Sequence, residues 1–204
     1  MPSKGLHGAV AFGDGARRFE RPPGGDARAL LDFLRRWPRV IDAVVTEGHA
    51  CLYFDPAFPP DDPSEAAARL AVEGPAGERK PATIRARYDG ADLADLARLT
   101  GLSRDEVVEL HTSREYVVAL IGFLPGFAYL RGLDPRLEVP RRAIPRARVA
   151  PGSIGLAAGY TGVYPFASPG GWQLIGTAIG FEAFSVERGA SLAIGDRVRF
   201  ERVD

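Results

Sequence analysis

A single cysteine, Cys51, among 204 residues excludes an intrachain disulfide and any paired-thiolate metal or redox centre, and it fits a reducing compartment. Its setting in the apolar run CLYF predicts a packed strand residue, because free cysteine behaves as a small buried hydrophobe. Histidine is scarce as well. His7, His49 and His111 stand far apart, and no H-E-x-x-H pattern joins any two of them. There is no G-x-x-x-x-G-K-[ST] loop to cradle phosphates, and Gly152-Ser153-Ile154-Gly155 misses the G-x-S-x-G spacing of a nucleophile elbow. These absences argue against a self-contained nucleotidase, zinc enzyme or cysteine hydrolase, and no metal site is expected. No run approaches the ~18 uninterrupted apolar residues of a membrane span, and MPSKGLHGAVAFGDG lacks the apolar core of a secretion signal. A soluble, cytoplasmic protein without a membrane partner is expected.

A surplus of one charge is also missing. The 26 Lys+Arg equal the 26 Asp+Glu, which removes the global positive field that a nucleic-acid partner would require. Locally the balance fails: Arg131, Arg136, Arg141, Arg142, Arg146 and Arg148 face only Asp134 and Glu138 in the same stretch. Guanidinium forks suit carboxylate or phosphate, so this segment is a candidate anion site.

What the chain does have is a segment from Gly122 to Gly176 that holds 10 of its 24 glycines and 7 of its 17 prolines. Phe, Tyr, Leu, Ile and Val are too frequent there for a disordered linker, so it reads as a rigid surface of loops and short strands on which function is concentrated.

Upstream, strand-like and helix-like segments alternate. Ala9 to Phe12 predicts a strand, Asp26 an N-cap, and Ala27, Leu30, Leu31, Leu34 and Trp37 the buried face of a helix that stops before Pro38. Two strands follow, Val40 to Thr46 and Ala50 to Phe54. A helix begins at Asp62 and ends at Gly74-Pro75, and Thr83 to Tyr88 predicts another strand. The order β-α-β-β-α-β predicts an α+β N-terminal domain, a ferredoxin-like sandwich, over residues 1–90. Asp92 to Thr100, closed by Gly101, and Ser103 to His111, opened by a Ser103/Glu106 capping box, form a helical connector at about 91–112. Tyr116 to Ile121 reads as a strand buried on both faces, and short strands including Trp172 to Ile175, Phe181 to Val186 and Val198 to Phe200 set the rhythm of a β-barrel over 91–204.

Several side chains could carry chemistry. His111, at a helix end, is either a cap or a proton donor and acceptor at a cleft. Arg142 and Arg146 lie in a run stiffened by Pro140 and Pro145. In YPFASPGGWQ, Tyr164, Ser168 and Gln173 offer polar groups, while Gly170 and Gly171 let main chain approach a ligand. In GFLPGFAYL, Phe123 is expected to turn inward and Phe127 or Tyr129 outward, towards a partner.

GFLPGFAYL, PRRAIPRARVAPGSIG and TGVYPFASPGGWQLIG together resemble the family of 5-oxoprolinase B-type subunits, also called allophanate hydrolase subunit 1 or KipI-type kinase inhibitor. CLYFDP, Tyr88-Asp89-Gly90 and GLSRDEVVELH support the match. The resemblance implies a cyclophilin-like β-barrel as the C-terminal domain. It also implies a role as one subunit of a heteromeric, ATP-dependent enzyme that opens 5-oxo-L-proline to L-glutamate. The partners would be a KipA-type second subunit and a further lactam-hydrolase subunit. ATP would be used by the assembly, and the isolated chain would be inactive. In that setting His111, Arg142 and Arg146 would be catalytic, Tyr164, Ser168, Gly170, Gly171 and Gln173 would bind substrate, and Phe127 and Tyr129 would meet a partner. The family also implies two alternatives: an inhibitor of a sensor histidine kinase, and a component of an allophanate or urea carboxylase-type carboxyltransferase. The chain departs from family habit at Tyr160, where an amide is usual, and at Thr177, where arginine is usual.

Overall fold

The computed structural model describes residues 8–72 and 80–204. The chain forms two compact units, residues 1–78 and residues 79–204.

The first unit carries β1 (Val10–Ala11), β2 (Ala16–Glu20), α1 (Ala27–Arg35), β3 (Val40–Val45), β4 (His49–Phe54) and α2 (Ser64–Val72). Its sheet is antiparallel in the order β1-β2-β4-β3, so β2 and β3 flank β4 as a split β-α-β unit. The Asp26 carboxylate accepts the Arg28 amide at 2.9 Å, the expected N-cap, and α1 buries Ala27, Leu30 and Leu34. Period-two burial then selects Ala43 and Val45 from β3, and Ala50, Leu52 and Phe54 from β4, for the core. The same alternation sends Cys51 to the other face of the sheet, where it is half-buried opposite Arg18 and Val44 instead of packed in the core. The expected end of α2 at Gly74-Pro75 lies outside the described residues.

A ferredoxin-like sandwich needs a fourth strand after α2, and that strand is spent elsewhere. β5 (Ala82–Arg87) pairs in parallel with the last strand of the chain and antiparallel with a strand near residue 177, so the boundary expected at residue 90 moves upstream. Ile84 and Ala86 are fully buried on the inward side of β5, which is the energetic reason for the transfer.

In the second unit β5 is followed by α3 (Leu93–Thr100), α4 (Arg104–Thr112), β6 (Glu115–Ile121), β7 (Ala128–Arg131), β8 (Arg146–Val149), β9 (Ser153–Ala157) and β10 (Tyr160–Val163). Then come β11 (Ser168–Gly170), β12 (Gln173–Ala178), β13 (Phe184–Ser185), β14 (Gly189–Ala190) and β15 (Arg197–Arg202). Seven of these close a barrel in the order β10-β7-β6-β15-β5-β12-β9. Closure removes sheet edges, and β15 shows how the sequence specifies it: Val198 and Phe200 point inward, while Arg197 and Arg199 pair with Glu115 outside. β6 is not buried on both faces along its whole length: Val117 is 44% exposed, although Tyr116, Val118 and Ala119 are buried. The strand expected over Phe181 to Val186 shrinks to the two residues of β13.

Both connector helices form where expected. Gly101 closes α3 in the left-handed conformation, and Ser103 and Glu106 exchange both hydrogen bonds of the capping box that opens α4. Their buried faces, with Leu93, Leu96, Val107 and Val108, pack on the barrel core of Ile84, Tyr116, Leu130, Ile154, Ile175 and Phe200. β8 and β11 form a separate two-stranded ribbon.

Candidate functional site

The three Gly/Pro-rich motifs converge. A second cluster, distinct from the barrel core, is built from Phe127, Val149, Ala157, Tyr164 and Trp172. Phe127 is edge-on to Tyr129, Tyr164 and Trp172 with ring centroids 5.0, 5.2 and 5.3 Å apart. These rings wall a cavity of about 200 Å³ that Phe123, Arg141, Gly170 and Gly171 complete. Two further hollows, between the helices of the first unit, are lined by none of the residues singled out above as candidates for chemistry.

Backbone geometry explains why these motifs spell glycine where they do. Gly126 has φ +77°, and a Cβ there would lie 2.6 Å from the Ala183 carbonyl oxygen. At Gly170 a Cβ would meet the Tyr164 hydroxyl at 2.5 Å and a Val149 methyl at 2.9 Å. The left-handed turn at Gly126 also reverses the expected fate of the phenylalanines. Phe127 is 1% exposed in the aromatic cluster, whereas Phe123 stands 58% exposed at the cavity with φ +71°, a costly conformation for a residue with a Cβ. Phe127 is therefore not a surface for a partner, and Tyr129 is half-buried in the cavity wall.

The polar side chains lining the cavity, those of Tyr129, Tyr164, Trp172 and Arg141, can all donate a hydrogen bond. Burial pushes the Tyr164 phenol above its usual range, so it keeps its hydroxyl proton. Arg141 is exposed and carries no ion pair with a carboxylate among the described residues. No carboxylate lines the space.

Arg142 and Arg146, expected as anion ligands, are already engaged. Asp92 is 1% exposed, and its Oδ1 accepts from Arg142 Nη1 at 2.8 Å and from Arg146 Nη2 at 2.5 Å, while Oδ2 accepts the Leu174 amide at 2.7 Å. Sequence reasoning places Asp92 only at a helix start, where its side chain in fact makes no capping bond. Ser168 and Gln173 are buried and do not line the cavity: Ser168 sits opposite Val149 with its hydroxyl unpartnered among the described residues, and Gln173 Nε2 donates to the Pro140 carbonyl at 3.3 Å.

His111 is elsewhere again, inside the barrel core and fully buried. Its Nε2 lies 2.9 Å from Thr161 Oγ1, whose own proton goes to the Gly155 carbonyl, so Nε2 carries the hydrogen and Nδ1 accepts from the Tyr88 hydroxyl at 2.7 Å. Burial lowers the imidazole to about 3, which keeps it neutral, and raises the Tyr88 phenol. The ring packs at 4.5 Å on Phe200, and neither nitrogen is free for a substrate. The expectation of a proton-moving His111 at a cleft is replaced by a neutral structural centre.

Among the described residues, no group of three or more His, Cys, Asp or Glu is arranged to hold a metal ion, and no helix is long and apolar enough to cross a membrane.

A family model described as carboxyltransferase domain, subdomain C and D, matches residues 12–190. The chain belongs to this family. Among its relatives, the 5-oxoprolinase B-type subunit of Escherichia coli O157:H7 is 52% identical over 112 residues, covering 54% of this chain and 51% of that protein. The protein of the same name from Bacillus subtilis (strain 168) is 44% identical over 115 residues, 56% and 48% of the two chains. These matches span about half the length of each relative. The crystal structure of TTHA0988 superposes with a TM-score of 0.79 at 34% identity, over 93% of this chain and 40% of that one. Membership agrees with the resemblance drawn from the motifs. The departures from family habit fall outside the cavity wall of this carboxyltransferase-domain chain: Tyr160 packs edge-on against Tyr129, and Thr177 donates to Asp89 at 2.9 Å.

Proposed function

We propose that this chain is a non-autonomous subunit of an ATP-dependent 5-oxoprolinase, which opens 5-oxo-L-proline to L-glutamate together with a KipA-type subunit and a further lactam-hydrolase subunit. Similarity to two proteins named as B-type subunits of 5-oxoprolinase supports the reaction class. The observation that carries the reading to a place in the molecule is the cavity itself, in which ring faces and hydrogen-bond donors surround a small volume. A volume of about 200 Å³ falls below the ~300–1,000 Å³ of drug-sized sites and suits a small ring.

The residues that line this cavity do not fit a nucleoside triphosphate. Arg142 and Arg146 are neutralised in part by Asp92, and the walls offer aromatic surface where a triphosphate needs dense positive charge. ATP is therefore assigned to the partner subunits. This chain's contribution is to bind and orient: Phe127, Tyr164 and Trp172 supply apolar surface for the ring, and the Tyr164 hydroxyl donates to a ligand acceptor.

The test is reconstitution with the cognate subunits, 5-oxoproline and ATP, followed by a glutamate assay. Glutamate formed only when this chain is present is expected. A fully assembled complex that forms none would contradict the reading.

A further inference from the structure

Adjacent residues Arg141 and Arg142 go to different places, and the contacts around them show why. The stretch from Pro140 to Arg146 is held at three points. Gln173 Nε2 donates to the Pro140 carbonyl, the Arg142 amide donates to the Gly171 carbonyl at 2.7 Å, and Asp92 receives the guanidinium groups of Arg142 and Arg146. With Arg142 drawn inward, its neighbour Arg141 is left on the cavity side, next to Pro145, which also lines it.

We infer that Arg141 is the specificity-determining residue of this cavity, selecting ligands that carry a carboxylate on a small flat ring, and that Asp92 is the residue that positions it. This deepens the proposed function, on which it rests for the choice of ligand. Three features converge. Every polar side chain that lines the cavity can donate and none is a carboxylate, so an acceptor-rich ligand is favoured. The cluster behind the Gly170-Gly171 wall sets two guanidinium groups against one carboxylate, and this net positive charge adds to the field of Arg141. Finally, the oxygens of Asp92 serve three donors, yet Arg142 Nε and Arg146 Nη1 still lack a partner, so the cluster can spare no negative charge for Arg141. The ring of Phe123, held at the cavity in its left-handed conformation, would lie against the ligand's face.

The test uses the full chain and two probes of one shape, 5-oxoproline and its carboxylate-free analogue 2-pyrrolidinone, followed by calorimetry and saturation-transfer NMR. Wild type is expected to favour 5-oxoproline by about tenfold, the value of one charge-assisted hydrogen-bond pair. Arg141→Ala should erase that preference and leave 2-pyrrolidinone binding unchanged, and Arg141→Lys should restore part of it. Asp92→Asn should lose the same preference while Arg141 is intact; should it fail to fold, as judged by circular dichroism, the Arg141 variants decide alone. An Arg98→Ala control on α3 should bind as wild type does. Equal binding of both probes by wild type, no binding of either, or an Arg141→Ala protein that discriminates as well as wild type would overturn the inference. The two readings fail separately: an assembled complex that forms no glutamate while the chain still discriminates the probes removes the proposed function alone, and one that turns over 5-oxoproline with Arg141→Ala leaving KM unmoved removes the role of Arg141 alone.

Discussion

Two polar centres of the second unit, about thirty residues apart in sequence, answer the same question in opposite ways. At His111 a titratable side chain is sealed in the barrel core, paired on both nitrogens and kept neutral. At Arg141 a charged side chain beside aromatic walls is left without a carboxylate among the described residues. Residue type invites a functional reading at both. Burial and partners decide: the first centre stabilises the fold, and the second is available to a ligand. Asp92 stands between these cases, since it is a buried charge whose stabilising contacts also shape the cavity.

Variants can sharpen this contrast, starting with the largest effect. Asp92→Ala leaves two partly buried guanidinium groups and the Leu174 amide uncompensated, and a loss of about 3–5 kcal/mol is expected in denaturant unfolding of the whole chain. His111→Ala opens a cavity against Phe200 and orphans the Tyr88 and Thr161 hydroxyls, for an expected loss of roughly 2–4 kcal/mol without a change in ligand discrimination.

Acid tests the same centre in the wild type. The folded imidazole is lowered to about 3 from an unfolded value of 6.5, so the unfolded chain binds the extra proton between these limits. The contribution of neutral His111 is complete above pH 6.5 and is lost as pH falls towards 3, amounting to roughly 2–4 kcal/mol by pH 4. Denaturant midpoints at pH 7 and pH 4 should differ less in His111→Gln than in wild type. Smaller still is Phe123→Gly, which relieves the left-handed backbone but adds chain entropy; stability should change by under about 1 kcal/mol while the ring contact is removed. Arg141→Ala should leave stability within about 0.5 kcal/mol and alter only ligand choice.

Local signals in the sequence are legible because their physics is local. The Ser103/Glu106 capping box, the Gly101 helix stop and the inward Val198 and Phe200 depend on near neighbours or on a simple alternation. The sheet that takes β5 is not legible in this way. Its partner β15 lies more than a hundred residues away, and a parallel pairing at that separation leaves no turn signal between the strands. The cavity motifs stand out through their glycines and prolines, yet spacing does not separate Arg141 from Arg142 and Arg146. That choice depends on which side Asp92 approaches from, and Asp92 looks like an ordinary helix start. The structural role of His111 is hidden for the same reason: Thr161 and Phe200, which enclose it, are distant in sequence.

If the aromatic cavity holds the ligand and Arg141 chooses it, amide and indole NMR spectra of the full chain, titrated with 5-oxoproline, test both points most directly. The expected result is movement of the Trp172 indole and the Gly170 and Gly171 amides, which in Arg141→Ala should require about tenfold more 5-oxoproline. Spectra unchanged at those three groups, or changed identically in the variant, would contradict it.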